Sequence, residues 1–92
     1  MSYILKFTKV ALADIEKHKK AGDKAVLKKI AKLLEELKEN PADGTGRVEL
    51  MKYGLIGKFS RRINHKHRLV YSIEDEIVTV HILSLWGHYD DK

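Results

Sequence analysis

The sequence predicts an α+β fold with the element order β-α-α-β-β-β-β, in which two helices form a hairpin lying on a sheet. Three observations predict it. Val26, Ile30, Leu33 and Leu37 recur at spacings of four, three and four, which makes one face of an α-helix apolar. From Arg47 onward the chain breaks into short β-prone runs separated by turn residues. And 92 residues, without repeats or linker-like stretches, allow one domain with one compact core, taken as residues 1–92.

Each element has a local reason. Tyr3 to Phe7 alternates and carries aromatic residues, so it reads as a first strand. Thr8 can cap the helix that follows, its hydroxyl accepting a free backbone N–H. Ala11, Leu12 and Ile15 give that helix a short apolar stripe. Lys17-His18-Lys19-Lys20 places cations in its last turns, where they suit the helix dipole, and Gly22 ends it. Asp23 caps the second helix, whose stripe is widened by Leu27 and Leu34 and which Asn40-Pro41 stops. Strands are expected near 47–52, 57–63, 67–73 and 77–86. Gly54 and Gly57, Asn64-His65-Lys66 and Glu74-Asp75-Glu76 mark the turns between them. Ile77 to Trp86 is apolar on both faces and should be a central, buried strand.

Composition excludes several classes. The chain has no cysteine, hence no disulfide framework, thiolate metal site or cysteine nucleophile. That absence suits the reducing cytoplasm. No apolar run approaches the ~20 residues needed to span a bilayer. The first residues lack the features of a signal peptide, so the chain reads as cytoplasmic, mature and without a membrane partner. Asp43-Gly44-Thr45-Gly46 precedes a strand rather than a helix and is too short for a nucleotide-binding glycine motif. His65 and His67 alternate near a strand edge, but no third ligand has a recognisable spacing. They read as exposed polar residues at a turn, with no metal and no cofactor expected.

The net charge of +5 is unevenly spread. Between Gly44 and Tyr71, seven cations face Glu49 alone, for a local net charge of +6; beyond Tyr71 the balance is −4. A basic field of this kind suits a polyanion such as nucleic acid, and equally a solvated basic surface. Cutting RNA through its own 2′-hydroxyl needs a base, an acid for the departing 5′-oxygen, and cations for the charge that builds on phosphorus. Glu49 among cations would stay ionised and available as a base. Arg68 can donate two parallel hydrogen bonds to a phosphate. His88, just after the buried strand, can hold or release a proton near neutrality. Each has a plainer alternative: Glu49 pairing with Arg61 or Arg62, Arg68 as a structural cation, and His88-Tyr89 as an exposed tail. His81 lies mid-strand and reads as structural.

Gly44-Thr45-Gly46-Arg47-Val48-Glu49, Leu55-Ile56-Gly57, Ser60-Arg61-Arg62-Ile63-Asn64, His67-Arg68-Leu69-Val70-Tyr71 and the terminal His88-Tyr89 together resemble the YoeB/Txe toxins of the RelE/ParE superfamily. The motifs cover about half the chain. The resemblance implies a RelE-like domain with a curved, mainly antiparallel sheet. It implies a ribosome-dependent mRNA endonuclease of a type II toxin–antitoxin system, acting in the ribosomal A site without metal. Glu49 would be general base, Arg68 phosphate clamp, His88 general acid, and Tyr89 the residue that orients or stacks on the RNA. Lys52, Ser60, Arg61 and Arg62 would contact RNA or its phosphates. The implied partners are mRNA, the ribosome and a YefM/Phd-like antitoxin, with a homodimer or a toxin–antitoxin hetero-oligomer as the assembly. Three departures stand out: Val48 and Leu50 where the family often has proline, His65 and Lys66 where it often has acids, and the extension Asp90-Asp91-Lys92. Glu49 and Lys52 are three apart, so both reach one phosphate only if the strand bends or ends near Met51. Two other classes share the fold or the charge: a ParE-like inhibitor of a protein target such as gyrase, and a ribosome-binding module without turnover.

Overall fold

The computed structural model describes residues 2–41, 49–50 and 58–87, with Glu49 and Leu50 described in the backbone only. The elements are β1 (Ile4–Phe7), α1 (Lys9–Ala21), α2 (Lys24–Glu39), β2 (Glu49–Leu50), β3 (Lys58–Arg62), β4 (Arg68–Glu74) and β5 (Thr79–Ser84), with a 3₁₀ turn at Asp75–Ile77. The expected α+β order is present. The five strands lie in one sheet in the order β1-β5-β4-β3-β2. β1 runs parallel to β5, and the other three pairings are antiparallel. β5 therefore sits between two neighbours, as the central strand expected from its sequence.

Capping follows the sequence closely. The Thr8 hydroxyl accepts from Ala11 N–H at 3.0 Å, and Gly22 closes α1 in the left-handed region at φ 72°. Asp23 accepts from both Ala25 N–H and Val26 N–H at the start of α2. α2 buries the expected Val26, Ile30, Leu33 and Leu37. These meet Leu69, Tyr71, Val80 and Ile82 from the sheet, and Leu85 just after it, in one core.

α1 departs from expectation. Its buried residues are Ala11, Asp14 and His18, while Leu12 is exposed. The inward stripe of this helix is thus partly polar, because it rests on the backbone that follows β5, whose polar groups need partners. His18 lies within the basic run expected at the helix end, but it points inward. β5 is also shorter than expected: Ile77 lies in the 3₁₀ turn and is exposed, and Trp86 follows the strand. A register shift against β4 between Val70 and Tyr71 marks a bulge, a device that bends a strand. Thr8 braces this region by donating its hydroxyl to the Leu83 carbonyl at 2.8 Å.

Among the described residues, Arg61 is the largest of the wholly buried side chains. Successive residues of a strand face opposite sides, so Arg61 turns to the helical layer while Ser60 and Arg62 turn away. Its Nε donates to the Tyr71 hydroxyl at 3.1 Å, Nη1 to the Glu36 carboxylate at 3.1 Å, and Nη2 to the Asn40 carbonyl at 2.7 Å. The Tyr71 hydroxyl donates in turn to the Pro41 carbonyl at 2.6 Å. Burial raises the phenol above its ordinary value, while Arg61 beside it works in the opposite direction. The expectation that Arg61 contacts RNA is corrected on this ground: its guanidinium is enclosed by protein and directed to the end of α2.

Two stability outcomes follow. Arg61→Ala leaves Glu36 and the Tyr71 hydroxyl facing an emptied site and should lower unfolding free energy by about 3 kcal/mol. Leu33→Ala, which opens a cavity at a fully buried position of α2, should cost about 3 kcal/mol. Both are read from urea unfolding curves, and a loss below about 1 kcal/mol for Arg61→Ala would contradict the structural assignment.

Candidate functional site

The sheet brings together stretches distant in sequence. β2 pairs with β3 so that Glu49 stands opposite Ser60. β3 pairs with β4 so that Ser60 stands opposite Val70 and Arg62 opposite Arg68. Glu49 and Arg68 thus flank one serine from the two strands beside it. The Arg68 side chain leans back along this patch, its Nε donating to Ser60 Oγ at 3.0 Å. Ser60 itself is buried. Its hydroxyl, expected to contact RNA, accepts from the arginine and so holds the Arg68 side chain along this patch.

Arg62 is exposed and lies directly across from Arg68. Like charges on opposed positions of neighbouring strands repel. An anion bound between or above them relieves that repulsion, and guanidinium groups match phosphate oxygens in geometry. Lys66, exposed beside His65 in the β3–β4 turn, adds positive charge at the same end of the hairpin. The turn is closed by Asn64, whose Oδ1 accepts from Lys66 N–H and His67 N–H, both at 2.8 Å.

The backbone that follows β5 is drawn onto this end of β4. Arg68 N–H donates to the Gly87 carbonyl at 2.8 Å. Gly87 N–H donates to His67 Nδ1 at 2.9 Å. Immediately before Gly87, the buried Asp14 carboxylate accepts from Leu85 N–H at 2.8 Å and Trp86 N–H at 3.2 Å. His18 Nε2 donates to the Leu85 carbonyl at 2.9 Å. The rings of His18, His67 and Trp86 form a cluster with centroids 4.4–4.7 Å apart, and Lys17 lies 5.5 Å over the Trp86 ring.

His67 was expected to be exposed and is buried. Burial is the main cause that lowers its pKa from the ordinary 6.5. His18, Lys66 and His65 lower it further, and Asp14 opposes them. His81 lies within β5 and pairs with Glu74 at 2.7 Å, in keeping with a structural reading. Among the described residues, no group of three histidine or acidic side chains could hold a metal ion.

Of the residues singled out in the sequence, Ser60, Arg62 and Arg68 are gathered on this patch, with the Glu49 backbone beside them. Arg61 is on the other face. Lys52, His88 and Tyr89 lie outside the described residues, as do the side chain of Glu49 and the loop through Gly44. Sequence reasoning missed Asp14 and His18. Their signal was present: 11, 14, 15 and 18 share one helical face, which places an acid and an imidazole on the inward stripe of α1.

Comparison with known proteins bears on this arrangement. The profile of the YoeB-like toxins of bacterial type II toxin–antitoxin systems matches residues 7–89. A toxin YoeB of Synechocystis is 39% identical over 85 residues, covering 88% of this chain and 96% of that protein. A toxin YoeB of Escherichia coli K12 is 40% identical over 58 residues, covering 63% of this chain and 69% of that protein. Among solved structures, the YoeB dimer from Staphylococcus aureus superposes with a TM-score of 0.80 at 39% identity, over 97% of this chain and 100% of that one. A YoeB/ParE toxin from Agrobacterium tumefaciens superposes with a TM-score of 0.86 at 29% identity, over 94% and 99%. The fold, the match across nearly the whole chain and the two well-covered relatives agree: this chain belongs to the YoeB-like toxin family of bacterial type II toxin–antitoxin systems.

Proposed function

We propose that the chain is a ribosome-dependent endoribonuclease that cuts mRNA in the A site and so blocks translation. The observation that carries this reading is the double tether of Arg68. Its side chain is bonded to Ser60, opposite Glu49, and its backbone is bonded to Gly87, next in sequence to His88. The three residues suited to the chemistry thus belong to segments that meet at one point of the sheet.

In this mechanism the Glu49 carboxylate takes the proton of the RNA 2′-hydroxyl. The 2′-oxygen attacks phosphorus, and the bond to the 5′-oxygen breaks. The His88 imidazolium gives its proton to that leaving oxygen, leaving a 2′,3′-cyclic phosphate and a 5′-hydroxyl end. Arg68, held by Ser60, neutralises charge on the non-bridging oxygens as it develops. Arg62 and Lys52 attract and seat the backbone, while Tyr89 orients or stacks on the RNA. The steps use protein groups and the RNA's own hydroxyl, with no metal or cofactor.

A YefM/Phd-like antitoxin fits as the neutralising partner. Its acidic, partly disordered tail would fold over the basic patch on binding. The heterotetrameric YoeB–YefM complex from Staphylococcus aureus, whose toxin is 39% identical to this chain, supports that choice. The dimer reported for YoeB of the same species supports a homodimer. The reading places the protein in the cytoplasm, where ribosomes and nascent mRNA are found; no helix among the described residues is long and apolar enough to cross a membrane.

Wild type and a Glu49→Ala, His88→Ala double variant, expressed in bacteria with mRNA ends mapped during translation, test the assignment. Wild type should arrest growth and produce new ends within translated codons. Equal arrest by the double variant would sink the catalytic roles. With purified programmed ribosomes, Arg68→Ala should slow cleavage by about 10²–10³-fold. Arg68→Lys should recover little of it, because an ammonium cannot reproduce the bidentate geometry. Ser60→Ala should slow cleavage by about tenfold, with unfolding free energy within about 1.5 kcal/mol of wild type. Gyrase inhibition with intact mRNA would point instead to a protein-target toxin.

A further inference from the structure

Gly87 is held on both sides. Its N–H donates to His67 Nδ1 at 2.9 Å, and its carbonyl accepts from Arg68 N–H at 2.8 Å. A backbone N–H can only donate, so His67 Nδ1 carries no proton and the ring is the neutral tautomer with hydrogen on Nε2. A protonated ring would turn an N–H toward an N–H, and the bond would be replaced by repulsion. Gly87 adopts φ +73°, a left-handed conformation that favours glycine. The kinked backbone there is fixed by partners rather than by regular strand pairing.

Among the described residues, the groups around the ring come from α1, the β3–β4 turn, β4 and the segment after β5. α1 contributes Asp14, Lys17 and His18, and the β3–β4 turn contributes His65 and Lys66. β4 contributes Arg68, next in the chain. The segment after β5 contributes the uncharged Trp86 ring, 4.4 Å away, and leads into His88. Among these only Asp14 favours a charged ring.

We propose that His67 is a positioning residue for the reaction: as a neutral acceptor it holds the Gly87 peptide, from which the chain passes directly to His88, and protonation of its ring releases that peptide. The inference rests on the reading of His88 as the proton donor. It makes the active end of the chain sensitive to acid at a residue that does not itself touch the RNA. Burial and neighbouring cations keep the ring neutral at ordinary pH, so the latch is closed there.

The sign of the effect is fixed. The folded-state pKa lies below the ordinary 6.5, so the unfolded chain binds the proton first as pH falls. The stabilising contribution of neutral His67 is complete above 6.5 and is lost as pH drops toward the folded-state value.

The test uses the full chain and two variants. In nitrogen-15 NMR, the wild-type His67 ring should show an acceptor Nδ1 at neutral pH. The Gly87 amide should shift with the same midpoint as that ring. His67→Asn, whose Oδ1 can accept the same N–H but does not titrate, should keep the Gly87 amide protected and remove its pH response. On programmed ribosomes, His67→Ala should lower kcat by about tenfold with KM little changed, and His67→Asn should restore most of that loss. Wild type should lose cleavage as pH falls through the folded-state pKa of His67, which lies below the ordinary 6.5, and the asparagine variant should lack that limb. A Gly87 amide indifferent to the ring's titration, or an alanine variant with the wild-type pH profile, would overturn the proposal. A wild-type protein that cuts no mRNA would defeat the cleavage reading instead, and the NMR titration would still decide whether the latch exists.

Discussion

The guanidinium of Arg61 is enclosed between the sheet and the end of α2, where it reaches Tyr71, Glu36 and Asn40 at once. A buried cation is costly unless its donors are satisfied, and here donors on Nε and both terminal nitrogens have partners. Those partners come from β4 and from the exit of α2. The bonds therefore set the distance between the helical layer and the middle of the sheet. β3 carries Arg61 on one face and Ser60 and Arg62 on the other. Fixing the inward residue fixes the outward two, and through Ser60 it fixes the direction of Arg68. The basic patch is held in shape from behind.

A second set of polar contacts does comparable work at the far end of β5. Asp14 and His18 on α1, together with His67 on the β3–β4 hairpin, bind the peptide groups of residues 85–87. A chain leaving a central strand would otherwise have unpaired N–H and carbonyl groups against a core helix, at a cost of about 1–3 kcal/mol for each. Side chains supply what a neighbouring strand does not. The same contacts bring the residues before His88 to the start of β4. A substitution at His67 or Asp14 would leave peptide groups of this segment without their partners.

The candidate site was partly legible in the sequence. Arg68 and Ser60 were picked out by type and motif, and the sheet register joins them. Arg61 was misplaced because the adjacent arginines were read as one basic cluster. The period of two in a strand separates them, and that period was available from the sequence. His67 was misplaced for a different reason. A histidine beside a polar turn is exposed unless something covers it, and what covers it is α1 and Trp86, about 50 residues before it and 19 after it. Leu12 and His18 exchanged their expected places because the face α1 buries is set by the backbone it rests on, not by apolar content alone.

By itself the sequence determined the elements and their order. Threonine, aspartate and glycine caps act within a few residues, and the spacing of Val26, Ile30, Leu33 and Leu37 needs only helical geometry to define a face. Motifs spread from Gly44 to Tyr89 were enough to indicate the toxin family. Only the tertiary structure decided which cation faces inward, that β1 joins β5 in parallel at the sheet edge, and that the last described residues are tied down by imidazole and carboxylate groups. Those outcomes depend on contacts between residues about 10 to 70 positions apart. No local pattern encodes such contacts, because the partner that satisfies a buried polar group is chosen by the packing of the whole chain.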